Sequence, residues 1–297
     1  MQTLAVAALI SLCSMRGVPL WAQGTASKVE LLEALGNAAA TFSRTAPGLG
    51  ASELLMQRGR VASVDVLKGS FSPASGREIK KMKVRLPEQY ASHRVSSAWG
   101  LSAAGPIHEV RTIRTVDDNP VEATRAARHA LTLGLQTPDD DTKKRLLEDL
   151  EGGTLQGAVA DFVPIMLLFT EARQTNYMFS YAGQNKIDAE PMLVLRYKQV
   201  AGGEAFTEFR DRSEKRHPAE GDIWFRQSDL LPLRITLSAE EILSVRYILR
   251  NEAEVNYTPS KFGLAPATVI HRQFLNRDLL VENKFSYSEY TGPVAIP

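Results

Sequence analysis

The sequence contains five histidines, the residues best suited to bind a metal ion, and their spacing does not predict a metal site. None of them falls into the HxH or HExxH spacing that brings two imidazoles to one ion. The three consecutive acids Asp139–Asp141 lack the alternating oxygen ligands of a calcium loop and suit the first turn of a helix. We therefore predict neither a metal nor another cofactor. The histidines are His93, His108, His129, His217 and His271.

Ser102 is the residue that comes nearest to a catalytic nucleophile. It lies in GLSAAG, Gly100–Gly105, which has one residue too many between the serine and the second glycine for a nucleophile elbow. GGTLQG, Gly152–Gly157, lacks the Lys-Ser/Thr pair of a phosphate-binding loop. The sequence predicts no catalytic residue and a non-enzymatic protein. A hydrolase that uses Ser102 stays open as the minor alternative.

A basic stretch and a tryptophan are the candidates for contact with a partner. RDRSEKRH, Arg210–His217, supplies Arg210, Arg212, Lys215 and Arg216. They could bind an anionic headgroup or a protein, or they could form an ordinary solvated hairpin tip. Trp224 lies opposite Ile223 and Phe225 in DIWFRQ, and it suits either packing or a partner contact.

Alternating apolar residues predict the strands that must position any binding face. In DLLVENKFSYSEY, Asp278–Tyr290, four side chains point one way: Val281, Asn283, Phe285 and Tyr287. LLPLRITLS places Leu231, Leu233, Ile235 and Leu237 on one side of another strand. Such faces either fill a closed core or line a ligand space, and the alternation fits both. Asn283 distinguishes them, because its amide needs a partner in a dry core.

Composition limits the classes of protein. The chain has 297 residues, 44% of them hydrophobic and 23% charged, which is typical of a globular protein. Residues 1–22 resemble a secretory signal peptide, with cleavage near Ala22, so we expect a periplasmic or secreted protein. The only cysteine, Cys13, lies in that leader. The formal net charge of +1 predicts no binding to nucleic acid, and no later segment is apolar enough for a transmembrane anchor.

Helices are predicted at the start and in the middle of one domain. Ser27 with Glu30 forms a capping box for a helix at Lys28–Arg44. A helical block follows at about 121–170, and it ends in a kinked helix around Pro164. Short strands occupy Glu53–Thr115, and turn-separated strands from Asn176 to Tyr290 suggest an antiparallel meander.

Three hairpins carry a resemblance to a known family. They are YMFSYAGQNKIDAEPMLVLRYKQ, GDIWFRQSDLLPLRITL and VNYTPSKFGLAPATVIHRQF. They resemble the LolA/LolB-like lipoprotein-sorting fold, and RHALTLGL resembles uncharacterised exported proteins of acidobacterial type. The resemblance covers about Ala91 to Tyr290. It implies an α+β fold: a large curved antiparallel sheet, a half-barrel, with helices covering its concave face. Residues 23–297 would form this single domain.

The resemblance, together with the long alternating strands, implies a carrier of an acylated or apolar ligand, possibly related to lipoproteins. The ligand would contact the faces described above and the strand at Met192–Gln199; the expected ligand-binding residues are Met192, Val194, Leu231, Leu233, Ile235, Leu237, Val281, Asn283, Phe285 and Tyr287. The alternative is an envelope interaction module with a filled core, which uses the basic stretch or Trp224 to contact another protein.

Overall fold

The computed structural model describes residues 26–60, 65–67, 81–83, 90–102, 107–120, 161–203, 206–210, 213–244 and 247–292. The predicted leader at 1–22, residues 121–160 of the predicted helical block, and Arg212 lie outside the described residues. Among the described helices, none is long and apolar enough to cross a membrane.

Helix α1, Lys28–Thr45, confirms the predicted first helix. The capping box forms as expected: Glu30 N donates to Ser27 Oγ at 3.3 Å, and Ser27 N donates to Glu30 Oε2 at 2.6 Å. This exchange satisfies two backbone donors that the first turn of a helix leaves without intrahelical partners. The helix buries one stripe of side chains, spaced three or four residues apart: Leu31, Leu35, Ala39 and Phe42.

The expected kinked helix around Pro164 is instead a 3₁₀ helix at Val163–Phe169, followed by a one-turn helix α2 at Glu171–Gln174. The proline stands in the first turn of the 3₁₀ helix, where its missing N–H costs no hydrogen bond. It therefore starts a helix here and does not bend one. Gln174 Nε2 donates to Leu32 O of α1 at 2.9 Å, which joins the two helical segments.

The described residues form fifteen strands, in the predicted pattern of short strands followed by a long meander. They are β1 Gly50–Arg60, β2 Asp65–Leu67, β3 Lys81–Lys83, β4 Tyr90–Ser102, β5 His108–Val116, β6 Asn119–Pro120, β7 Tyr177–Ile187, β8 Glu190–Gln199, β9 Phe206–Arg210, β10 Ser213–His217, β11 Glu220–Arg226, β12 Pro232–Ser244, β13 Tyr247–Ser260, β14 Gly263–Leu275 and β15 Asp278–Thr291.

Eleven of these strands form one open antiparallel sheet, in the order β6-β5-β4-β1-β15-β14-β13-β12-β11-β8-β7. The strands from β11 to β15 are neighbours in the order of the chain, as expected for a meander. Strand β1 lies between β4 and β15, so the first and last long strands meet in the middle. Hairpins β9–β10 and β2–β3 form separate two-stranded sheets. The predicted large antiparallel sheet is confirmed.

Helical segments pack against one of the two faces of the sheet. We call inner the face that carries Ile223, Ile235 and Val255, which are neighbours across β11, β12 and β13. These side chains are fully buried and belong to one core cluster with the buried stripe of α1 and with the 3₁₀ helix. Tyr257 Oη donates to Val163 O at 2.7 Å and ties that helix to β13. Helical segments thus pack on the inner face.

Candidate functional site

A buried charged cluster lies on the inner face at the β1, β4 and β5 side of the sheet. It consists of Glu53 on β1 with Glu109 and Arg111 on β5. Arg111 Nε donates to both carboxylate oxygens of Glu53, at 2.9 Å each, and its Nη2 donates to Glu109. Only 8% of Arg111 is exposed, and both acids are buried. One guanidinium therefore neutralises part of the charge of two buried carboxylates.

The surroundings of the charged cluster keep both Arg111 and Tyr287 protonated. Burial lowers the pKa of Arg111, but Glu109 and Glu53 outweigh it and hold that pKa well above its usual range. Burial raises the pKa of Tyr287 well above its usual range, and the nearby Glu53 and Glu109 raise it further. Arg111 is thus permanently charged, and Tyr287 stays neutral. The Arg111 guanidinium lowers the pKa of Tyr287 in part, through its charge and a hydrogen bond.

The charged cluster also anchors the segment that leads into the 3₁₀ helix. Glu109 Oε1 accepts from Val163 N at 2.9 Å, and Glu109 N donates to Asp161 Oδ2 at 3.1 Å. On the sheet side, Trp99 Nε1 donates to Glu109 Oε2 at 2.8 Å, and Ser97 Oγ donates to Glu53 Oε1 at 2.7 Å. Loss of the Arg111 charge would therefore weaken the contacts within the sheet and those between the sheet and the 3₁₀ helix.

A row of uncharged polar side chains crosses the inner face beside the cluster. We call polar row the three residues Gln57, Asn283 and His271, which are opposite one another on β1, β15 and β14. Gln57 Nε2 donates to Asn283 Oδ1 at 2.9 Å, and Asn283 Nδ2 lies 3.5 Å from His271 Nδ1. Gln57 is only 2% exposed, and its Oε1 has no hydrogen-bond partner among the described residues.

The polar side chains of the inner face form hydrogen bonds with one another. Within the described residues, no group of three or more His, Cys, Asp or Glu side chains is placed to hold a metal ion. Gln273 Nε2 donates to Asn251 Oδ1 at 3.2 Å in the next position along the strands, which adds two more buried amides. Buried amide groups of this kind can recognise a polar part of a ligand.

The predicted ligand-binding residues do not all share the inner face. Ile235, Leu237, Phe285 and Tyr287 belong to the core cluster there, and Val281 and Asn283 are also buried. Met192 and Val194 are buried on the opposite, outer face, because Leu193 and Leu195 take the inner positions of β8. In a strand whose residues are buried on both faces, apolar type does not tell which side is inner.

Leu231 and Leu233 are half-buried and lie outside the core cluster. A register shift pairs Trp224 with Arg234 and Phe225 with Pro232, so Leu233 is the extra residue of a bulge. Leu231 precedes β12. The expected alternation through both residues is therefore wrong. Which of the ten residues contact a ligand stays a prediction.

The predicted docking residues lie on two separate elements. Arg210 ends β9, and Lys215 and Arg216 lie on β10, so they do share a hairpin. Trp224 lies on the outer face of β11, with the Arg234 guanidinium 5.3 Å from its ring centroid. This contact is a cation–π interaction, so Trp224 packs against a side chain of its own sheet. Their role in docking stays a prediction.

A cavity of about 450 Å³ opens on the outer face above β1 and β4. Its floor is made of small residues, among them Ser52, Ala98 and Gly100, and Arg114 and Glu289 are part of its lining. These residues alternate along their strands with the buried side chains of the inner face. The cavity is therefore distinct from the expected apolar space under the helices.

Sequence reasoning did not find the charged cluster or the polar row. The stretch EVRTIRT lies within the predicted strand region Glu53–Thr115, and two charged residues spaced by two, Glu109 and Arg111, share one face of it. That spacing was the available signal, since a charge pair on the face of a buried strand needs a partner. The third member, Glu53, is 58 residues from Arg111 along the chain. Its proximity follows only from strand order.

No protein-family model and no curated protein sequence matches the chain. Solved structures do match it. A LolA superfamily protein from Nitrosomonas europaea is 13% identical, over 92% of this chain and 96% of that one, with a TM-score of 0.34. A DUF1329 family protein from Desulfovibrio piger is 10% identical, over 90% and 95%, with a TM-score of 0.39. A domain described as outer membrane lipoprotein-sorting, from Vibrio parahaemolyticus, is 6% identical, over 89% and 95%, with a TM-score of 0.40.

The structures that this chain matches thus include a member of the LolA superfamily, which the three hairpins also resemble. The resemblance to exported proteins of acidobacterial type stays a prediction.

Proposed function

We propose that this chain is a non-enzymatic binding or carrier protein of the cell envelope, and that its ligand is amphipathic, with an acyl or other apolar part. In this proposal the protein is exported after cleavage near Ala22. The apolar part of the ligand takes the place of α1 on the inner face of β11–β15. The polar head of the ligand meets the polar row and Tyr287.

The observation that carries the proposal is the unsatisfied Gln57 on a buried face. A buried carbonyl oxygen without a hydrogen-bond partner costs about 1–3 kcal/mol. Gln57 Oε1 lacks such a partner among the described residues, and it lies on the inner face. A ligand that donates a hydrogen bond to Gln57 would recover this free energy. The apolar strands beside the polar row would accept its hydrocarbon part.

Helix α1 is the element that a ligand would displace from the inner face. Its three large buried side chains, Leu31, Leu35 and Phe42, contribute roughly 5–9 kcal/mol together at about 1.5–3 kcal/mol each. A ligand chain of about 16 carbons gains on the order of 10 kcal/mol at about 0.8 kcal/mol per methylene. The two free energies are comparable, so an acyl chain can compete with α1 for the same surface.

Native mass spectrometry of the protein, purified from the periplasm of a bacterial host, tests this proposal. We expect a co-purified species that organic solvent extracts and that carries an acyl chain. Gln57→Leu removes the polar acceptor and should lower the bound fraction. Met56→Leu, on the outer face of the same strand, is the matched control and should retain it. A wild-type protein without any bound species, and without a rise in melting temperature on addition of an acylated peptide, would refute the proposal.

The alternative function is an envelope interaction module with a filled core. The packing under α1 favours it, because Leu35, Phe42, Ile235 and Val255 are all essentially inaccessible to solvent. In this case the β9–β10 hairpin or Trp224 would contact a partner protein. A pull-down with Arg210, Arg212, Lys215 and Arg216 changed to Ala, and a second with Trp224→Ala, would separate the two surfaces. Loss of the partner with either variant supports the module.

A further inference from the structure

Strand β7 is a long edge of the main sheet. It pairs with β8 on one side, and within the described residues no strand pairs with its other side. The outward backbone N–H and C=O groups of an edge strand are a template for another strand. Met178 and Tyr181 on β7 are large apolar residues, and they are 62% and 45% exposed.

The first half of β7 lacks the usual protection against pairing. Edge strands are commonly shielded by proline, by charged side chains or by a bulge. Tyr177–Asn185 contains neither a proline nor a charged residue, and Lys186 is the first charge. The one bulge comes late, between Tyr181 and Gly183. A regular, uncharged and aromatic-rich segment, Tyr177–Tyr181, therefore stands at the edge, with high β propensity.

The side chains of this segment are arranged as one half of an aromatic ladder. Tyr177, Phe179 and Tyr181 alternate along β7 and lie opposite Gln199, Tyr197 and Leu195 of β8. The rings of Tyr177 and Phe179 are 6.1 Å apart, and Tyr177 lies 5.9 Å from Tyr197. A further strand with aromatic residues in matching positions would continue this ladder across the edge.

We propose that a second copy of this chain occupies the edge, by antiparallel pairing of β7 with β7 about a two-fold axis at Phe179. In this register Tyr177 is opposite Tyr181 of the second copy, and Phe179 is opposite its own equivalent. Met178 is opposite Ser180 of the second copy, so no charged residue faces another. The pairing is self-complementary, as a two-fold interface requires. It joins two sheets into one and does not depend on the ligand proposed above.

Sedimentation equilibrium of the whole chain, from about 1 µM to 1 mM, tests the pairing. We expect the mass to rise from monomer to dimer with concentration. Met178→Lys/Ser180→Lys places lysine opposite lysine at two symmetric positions and should weaken the dimer at least about tenfold. Met178→Lys/Ser180→Glu places lysine opposite glutamate in the same positions and should retain the dimer. Circular dichroism melting of both variants checks that each is folded.

Three results would overturn the proposal. The first is a wild-type protein that stays monomeric over the whole concentration range. The second is a dimer whose dissociation constant is the same in the two double variants, since the interface would then lie elsewhere. The third is a monomeric wild type that binds a synthetic peptide with the sequence of Tyr177–Lys186, which would assign the edge to an extended segment of another protein.

Discussion

Replacement of Arg111 by Met is the most informative single perturbation of this structure. The substitution keeps an unbranched apolar stem of similar width and removes the guanidinium that bridges Glu53 and Glu109. Both acids are nearly inaccessible to solvent, so water cannot take over the lost hydrogen bonds. Removing one partner of a buried ion pair costs about 3–5 kcal/mol, because an uncompensated buried charge remains.

Urea unfolding followed by tryptophan fluorescence measures this loss, and urea does not screen charges as guanidinium salts do. With a slope of about 3 kcal/mol per M, the midpoint should fall by roughly 1–1.7 M. Arg94→Met is the matched control. Its ion pair with Asp118 is exposed, at 52% and 77% of the two side chains, and an exposed pair contributes only about 0–1 kcal/mol.

A triple variant, Arg111→Met with Glu53→Gln and Glu109→Gln, separates charge from packing. If the cost of Arg111→Met comes from the unpaired carboxylates, neutral amides in their places should restore part of the stability. A loss below about 1 kcal/mol for Arg111→Met would refute the reasoning, since it would mean that solvent reaches the cluster. A triple variant less stable than Arg111→Met would also contradict it.

Three further predictions concern α1, a close backbone contact and the buried tyrosines. Phe42→Ala should lower the free energy of unfolding by about 3–5 kcal/mol in the same urea assay. Val29, on the same helix, is 72% exposed, and Val29→Ala should change this free energy by less than about 0.5 kcal/mol. Gly221→Ala should lower the melting temperature, because a Cβ there would lie 2.1 Å from Thr236 O, a backbone atom that cannot move without disturbing β12; a melting temperature unchanged from wild type would show that the strands can separate. Burial raises the pKa of Tyr177 to about 12 and that of Tyr197 well above its usual range. The fold therefore favours the neutral phenols, so this contribution to stability is complete below about pH 10 and is lost as pH rises through the folded-state pKa values. Absorbance titration should show tyrosines that ionise only when the chain unfolds, and complete ionisation at pH 10 with the fold intact would contradict the assignment.

Local patterns predicted much of the fold. Ser27 and Glu30 marked the start of α1 because a capping box is made by residues three apart in sequence. Alternation placed Val281, Phe285 and Tyr287 on one face of β15, as the structure has them. Pro164 was misjudged as a kink, because a proline both interrupts and starts helices and the sequence does not distinguish the two.

The candidate site was less predictable than the fold. Asn283 was expected to distinguish a dry core from a ligand space, and its bond to Gln57 fits the filled core of the alternative function. The partner itself could not be named from the sequence. Met192 and Val194 were assigned to the inner face on apolar type, although β8 is apolar on both faces. Leu233 was misplaced by a bulge that only the pairing of β11 with β12 reveals.

The sequence by itself determined the helix α1, the strands with their alternation, and the lack of motif-level signs of an enzyme. These features depend on neighbours a few residues apart, and their physical causes are local. Only the tertiary structure decided which polar groups meet. The order β5-β4-β1-β15-β14 brings Arg111 to Glu53 and Gln57 to Asn283, and it leaves β7 at an edge. Hydrogen bonds between distant strands follow from strand order and register, which many weak contacts set together.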